Sequence, residues 1–303
     1  MSKKPDPRSY TRGLDIADEL IDGRHGPIPV RRYAPGIGAG QDKDPLIWLH
    51  GGAFSWGGLD QLESHAVACA LANEGWPVVA VDYRLAPPWS WIRKPKPGIL
   101  PGIRFPVPLE DVVDVIHAIR NEVPRRRLVL GGASAGACLA AAATLHLRDE
   151  EMEGPDRLVL AYGTFHAALP ALTPEIKARV RGRHGIAQFN RATVERMNRN
   201  YAGSPAAMSD FHAFPGGANL AGFPPTLMLD ADHDTLRASG QAFSDELKDA
   251  GTAIEYRLVA DSRHGFLDKP ETPAFAEGIR RMQVWLNCSR RDEAGNGASS
   301  AEA

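Results

Sequence analysis

The sequence predicts an α/β domain in which a mostly parallel, eight-stranded sheet is covered by helices on both faces. Three observations carry that expectation. Short runs rich in branched residues alternate with amphipathic stretches along the chain. Runs such as 46–49 and 78–81 are apolar throughout, as strands buried on both sides must be. The chain has 303 residues, 43% of them hydrophobic and 24% charged, which is ordinary for a soluble globular domain of this class.

In chain order, 17–21 and 28–33 read as an opening hairpin across Asp22-Gly23-Arg24-His25-Gly26. Strands at 46–49, 78–81, 128–130, 158–161, 226–229 and 254–259 complete the eight. The clearest helix carries Leu109, Val112, Val113, Ile116 and Ile119, an i, i+3, i+4, i+7, i+10 stripe. Residues 135–147 and 243–250 are further helices, and Phe275, Ile279, Met282 and Leu286 line a closing one. Two segments break the alternation. An extra loop, 89–104, is rich in proline and tryptophan, and a cap insertion, 165–222, carries helical pieces around 174–181 and 191–201. Together they are expected to roof the site and set the size of its substrate. The domain is expected to span 15–289, between a flexible N-terminus (1–14) and a disordered Gly/Ser/Ala/Glu tail (290–303).

Composition narrows the function. A formal net charge of -2 gives no electrostatic case for nucleic acid or an anionic membrane. Arg125-Arg126-Arg127 reads as a solvated strand entrance. No apolar run approaches the ~20 residues of a membrane span. No apolar segment follows the basic start, so no signal peptide is read and the expected location is cytoplasmic. Cys69, Cys138 and Cys288 lack metal-ligand spacing, and the first two lie among alanines on expected helices as buried thiols. Gly36-Ile37-Gly38-Ala39-Gly40 precedes a strand and reads as a linker rather than a phosphate loop. No metal and no cofactor is expected; a homodimer is left open.

The chemistry concentrates in four places. Gly132-Ala133-Ser134-Ala135-Gly136 follows an apolar strand and opens an alanine-rich helix. In that setting G-x-S-x-G is a nucleophile elbow, whose small flanking residues let a sharp turn push the hydroxyl out at a helix N-terminus. His50-Gly51-Gly52-Ala53-Phe54 follows the strand at 46–49. Adjacent glycines there can turn amides inward, and Gly51, Gly52 and Ala135 would give an oxyanion three N–H donors. His264 follows the last strand beyond a short polar loop, where imidazole could serve a serine as base. His25, His117, His146, His166, His184 and His212 have no comparable placement. A carboxylate must hold that imidazole, and Asp230, Asp232 and Asp234 follow the strand at 226–229. Asp230 reads as the strand's end and Asp232 as a turn acid; Asp234 is preferred, with Asp232 as fallback. The serine–acid–histidine order fits hydrolases of this class.

With these motifs assembled, the chain resembles the hormone-sensitive lipase family of α/β-hydrolases, the bacterial acetyl-esterase-like carboxylesterases. The resemblance runs over about 15–287 and includes Asp82-Tyr83-Arg84-Leu85-Ala86-Pro87, Phe105-Pro106-Val107-Pro108, Pro224-Pro225-Thr226, Asp234-Thr235-Leu236-Arg237 and His264-Gly265-Phe266. It implies the α/β-hydrolase fold with a small cap, and Ser134, Asp234 and His264 as catalytic residues. Asp234 takes precedence over Asp232 because the family acid begins an Asp-x-Leu-Arg run. Ala53 stands where the family has a third glycine, and its methyl narrows the acyl side. Ala53, Phe54, Trp89 and Trp91 are the expected substrate contacts. The expected reaction is hydrolysis of short-chain carboxylic esters through an acyl-enzyme. Amide, carbamate or lactone hydrolysis on the same residues is the alternative, and a non-catalytic binding protein on the scaffold is a further one.

Overall fold

The computed structural model describes residues 11, 13–36, 43–90, 98–186 and 188–299, with 289–299 as backbone only. In chain order the elements are β1 (Asp15–Ile21), β2 (Ile28–Ala34), β3 (Leu46–Leu49), α1 (Leu62–Asn73), β4 (Val78–Val81), α2 (Val107–Glu122), β5 (Val129–Ala133), α3 (Ala135–Asp149) and β6 (Arg157–Ala161). They continue with α4 (Pro174–Arg179), α5 (Arg191–Ala202), β7 (Thr226–His233), α6 (Arg237–Asp249), β8 (Ile254–Arg263) and α7 (Pro273–Ser299). The sheet has eight strands in the order β1-β2-β4-β3-β5-β6-β7-β8. β1 and β2 form the expected antiparallel hairpin, β2 lies antiparallel to β4, and every pairing from β4 onward is parallel.

Both faces of the sheet carry a core. On one side Leu109, Val112, Val113, Ile116 and Ile119 of α2 pack with α3 against Ile47, Leu49, Leu130 and Leu160. On the other, α1 and α7 cover Leu46, Trp48, Val129 and Val159, with Ile279, Met282 and Leu286 inside. Each such side chain contributes about 1.5–3 kcal/mol on burial, so the stripes legible in sequence do anchor the layers. Cys69 and Cys138 are buried free thiols on α1 and α3.

Four elements run three residues or more past their expected ends. β5 continues beyond Leu130 to Ala133, because Gly131, Gly132 and Ala133 pair in parallel with Val159, Leu160 and Ala161. β7 runs past Leu229 through Asp230 to His233, and β8 continues to Arg263. The polar stretch expected as a loop is therefore strand, joined by a register shift between Ala231 and His233 and by the pair His233–Arg263. Backbone pairing overrode side-chain polarity there. The closing helix also extends through Ser299, where a disordered tail is expected. Its continuation, Arg290-Arg291-Asp292-Glu293-Ala294, is rich in good helix formers. Of the expected flexible start, only Thr11, Gly13 and Leu14 fall among the described residues, and Trp91 lies outside them.

Candidate active site

The C-terminal ends of β3, β5, β6, β7 and β8 converge on Ser134. That residue joins β5 to α3 with φ 53° and ψ -114°, a backbone few non-glycine residues adopt. Such conformations cost on the order of 1–3 kcal/mol and persist where the surroundings enforce them. Here the ladder bond from Ser134 N to Ala161 O (2.8 Å) holds one side, and α3 begins at once on the other. The close approach explains the small neighbours. A Cβ on Gly132 would sit 2.5 Å from the Gly136 carbonyl carbon, and one on Gly136 would sit 2.3 Å from Leu49 O.

The structure brings the three distant side chains together. Ser134 Oγ lies 3.0 Å from His264 Nε2, and His264 Nδ1 lies 2.6 Å from Asp234 Oδ2. Asp234 is almost fully buried, and its other oxygen accepts the Leu236 N–H at 2.9 Å, which pins the carboxylate at the start of α6. Burial disfavours a charged imidazole, but the Asp234 carboxylate outweighs it and holds the His264 pKa above its usual value. Rings of Tyr162 (5.0 Å) and Phe189 (5.1 Å) meet the imidazole edge-on.

Asp232 points elsewhere. Its carboxylate lies 3.4 Å from Arg179 Nε and accepts the Asp261 N–H at 3.3 Å. With His233 and Asp261 it forms a group whose donor atoms lie within 4.8 Å of one another, a clustering the spacing does not reveal. The Arg179 guanidinium already offers that carboxylate a positive partner.

The loop after β3 is held in an uncommon shape. Gly52 (φ 119°), Ala53 (53°) and Phe54 (61°) are three consecutive residues with positive φ, closed by Ser55 N and Trp56 N donating to Gly52 O at 3.0 and 2.9 Å. Only glycine fits the first of these positions, since a Cβ on Gly52 would lie 1.9 Å from Trp56 O. His50 is buried beneath, stacked 4.4 Å from Tyr83, whose hydroxyl donates to His50 O at 2.7 Å. Ala135 opens α3, where first-turn amides have no partner within the helix and favour negative charge.

The expected substrate contacts divide. Ala53 is part-buried on the loop, whereas Phe54 is fully buried and stacks 4.1 Å from Tyr201 of α5, so it fastens the cap to the loop. Trp89 is nearly buried, 5.7 Å from the Trp56 ring. Asn200 of α5 donates to Pro87 O (2.9 Å) and Ser55 Oγ (3.2 Å), while its own carbonyl and Oδ1 accept from Arg104. Leu100 N and Phe105 N bond to Gly203 O and Tyr201 O. The described part of the 89–104 loop is thus tied to the cap over the site.

Sequence reasoning missed Glu63, Tyr162, Phe189 and Asn200. For Glu63 one signal was present: an acid in the first turn of a helix otherwise dominated by alanine and leucine has no polar face to join. The others had no local signature.

A strained serine between a parallel strand and a helix, within reach of imidazole, belongs to the class of serine hydrolases. Residues 99–268 match the family model described as alpha/beta hydrolase fold. The chain is 32% identical over 269 residues to an ethyl acetate hydrolase of Pseudomonas putida, covering 83% of this chain and 76% of that protein. It is 29% identical over 266 residues to the carboxylesterase NlhH of Mycobacterium tuberculosis, covering 84% and 76%. A solved esterase of Pyrobaculum calidifontis superposes with TM-score 0.77 at 25% identity, over 94% of this chain and 89% of that one. The chain belongs to the alpha/beta hydrolase fold family. No helix among the described residues is long and apolar enough to cross a membrane.

Proposed function

We propose that the chain is a cytoplasmic carboxylesterase that cleaves short-chain acyl esters through a serine acyl-enzyme. The observation that carries this reading is the continuous contact from Ser134 Oγ through His264 to Asp234, at 3.0 and 2.6 Å. His264 Nε2 takes the proton as Ser134 attacks the ester carbonyl, and Asp234 holds the ring and favours the imidazolium that forms. The amides of Gly51, Gly52 and Ala135 receive the oxyanion. The imidazolium then protonates the leaving alcohol, and a water activated by the same ring releases the acid.

Relatives named for ethyl acetate and carboxylic esters support the ester class. The Ala53 methyl on the glycine turn supports a preference for small acyl groups. The test is a panel of nitrophenyl esters from acetate upward together with a fluorophosphonate probe. Wild-type protein should hydrolyse the acetate best and be labelled at Ser134. Ser134→Ala should remain folded, escape labelling and lose about 10³-fold or more in rate. Near-normal hydrolysis by that variant would overturn the assignment.

A further inference from the structure

Among the buried acids that the mechanism above leaves unused, Glu63 lies against the site. Glu63, in the first turn of α1, is 3% exposed, and both its carboxylate oxygens accept hydrogen bonds: Oε1 from Gln61 Nε2 (2.7 Å) and Oε2 from the Tyr162 hydroxyl (2.9 Å). Its backbone is pinned as well. The N–H donates to Asp268 Oδ1 at 3.3 Å, and the carbonyl accepts Trp48 Nε1 at 2.8 Å. The carboxylate faces two parts of the site. A Cβ on Gly51 would come within 2.2 Å of Oε1. Tyr162, itself at φ 39°, meets the ring of His264 at 5.0 Å and that of Phe266 at 4.9 Å.

An isolated buried carboxylate is costly by several kcal/mol, so its retention here calls for a compensating charge. The helix dipole of α1 supplies part. The remainder lies across Tyr162, where a positive charge appears only when His264 is protonated. Acting on the reading given under Proposed function, we propose that Glu63 is a positioning residue: it braces the Gly51 turn and Tyr162, and sets a second negative charge behind His264 that favours the imidazolium formed on attack. Burial raises the Glu63 pKa, and both the Tyr162 bond and His264 pull it back. The charged or titratable groups that act on His264 include Asp234, Glu63 and Asp230, with the Tyr162 ring in edge contact. Those facing Glu63 are Tyr162, Asp268, His50 and His264.

Glu63→Gln keeps the volume and removes the charge; Tyr162→Phe keeps the charge and removes the link. The His264 ring is titrated by NMR in wild type and both variants, beside thermal melting and the pH profile of nitrophenyl acetate hydrolysis. In Glu63→Gln the His264 pKa falls and the acid limb of kcat/KM moves to lower pH. Its kcat drops about threefold to tenfold, the worth of one net hydrogen bond, with KM unchanged. Tyr162→Phe lowers kcat in the same direction, and it decides the question if Glu63→Gln does not fold. An unmoved His264 titration in Glu63→Gln overturns the proposal. So does a kcat loss that only follows a fall in melting temperature. A wild-type protein with no esterase activity would instead sink the functional reading, and the NMR titration would still judge the charge on its own.

Discussion

Asp230→Asn should change how stability responds to pH. Asp230 lies on β7 under α6, 1% exposed, with Oδ2 accepting the Tyr256 hydroxyl at 2.9 Å. Burial, which the Tyr256 bond only partly offsets, pushes its carboxyl from 3.8 up to about 7. The folded protein therefore holds this proton more tightly than the unfolded chain does. The resulting stability is fully present below the unfolded value and is lost as pH rises through the folded one. Between pH 5 and pH 8.5 that loss spans about two units at 1.36 kcal/mol each, so on the order of 2–3 kcal/mol. Asparagine cannot ionise, and it can still take the Tyr256 bond. Urea denaturation of both proteins at the two pH values gives the difference directly, and groups common to both, His264 included, cancel. Wild type should weaken more than the variant by that amount. Parallel pH dependences, within about 0.5 kcal/mol, would refute the reasoning.

Three further outcomes follow from the geometry of the site. Gly52→Ala should lower kcat by about 10²-fold or more, because its Cβ collides with Trp56 O and the proposed oxyanion amides must shift; steady-state kinetics and melting of the purified variant check this. Asp234→Asn should cost about 10⁴-fold in kcat while leaving Ser134 in place, since an amide that donates to Nδ1 leaves the proton on Nε2, where the ring cannot take it from serine. In wild type the rate should fall as pH drops through the His264 pKa, which lies above its usual value, because only the neutral ring accepts the serine proton.

Most of the fold was legible because its signals are local. The stripe on α2, the hairpin turn and the apolar runs are each set by neighbouring residues, and each falls in or beside the element the sequence predicts. The elbow was legible for the same reason: strand, small residues, serine and helix are contiguous. Asp234 was not separable from Asp232 by residue type or spacing. What separates them is that Asp232 turns to Arg179 on the cap while Asp234 turns to His264, a difference set by the bulged pairing of β7 and β8. Polar strand ends such as 260–263 were unreadable because their partner, not their side chains, makes them strand. Glu63 and Tyr162 lie 99 residues apart and meet only through the sheet.

The bonds among Arg104, Asn200, Pro87 and Ser55 join the helix α5, Arg104 and the glycine turn in one mechanical unit. Ser55 closes the turn at Gly52, and Asn200 reaches it from the cap helix. Any change at Asn200 that breaks these bonds would also loosen the clamp on the glycine turn. The shape of the cap helix and the shape of the turn after β3 are then coupled design variables in this scaffold. Redesign of the cap is best begun at positions outside that clamp.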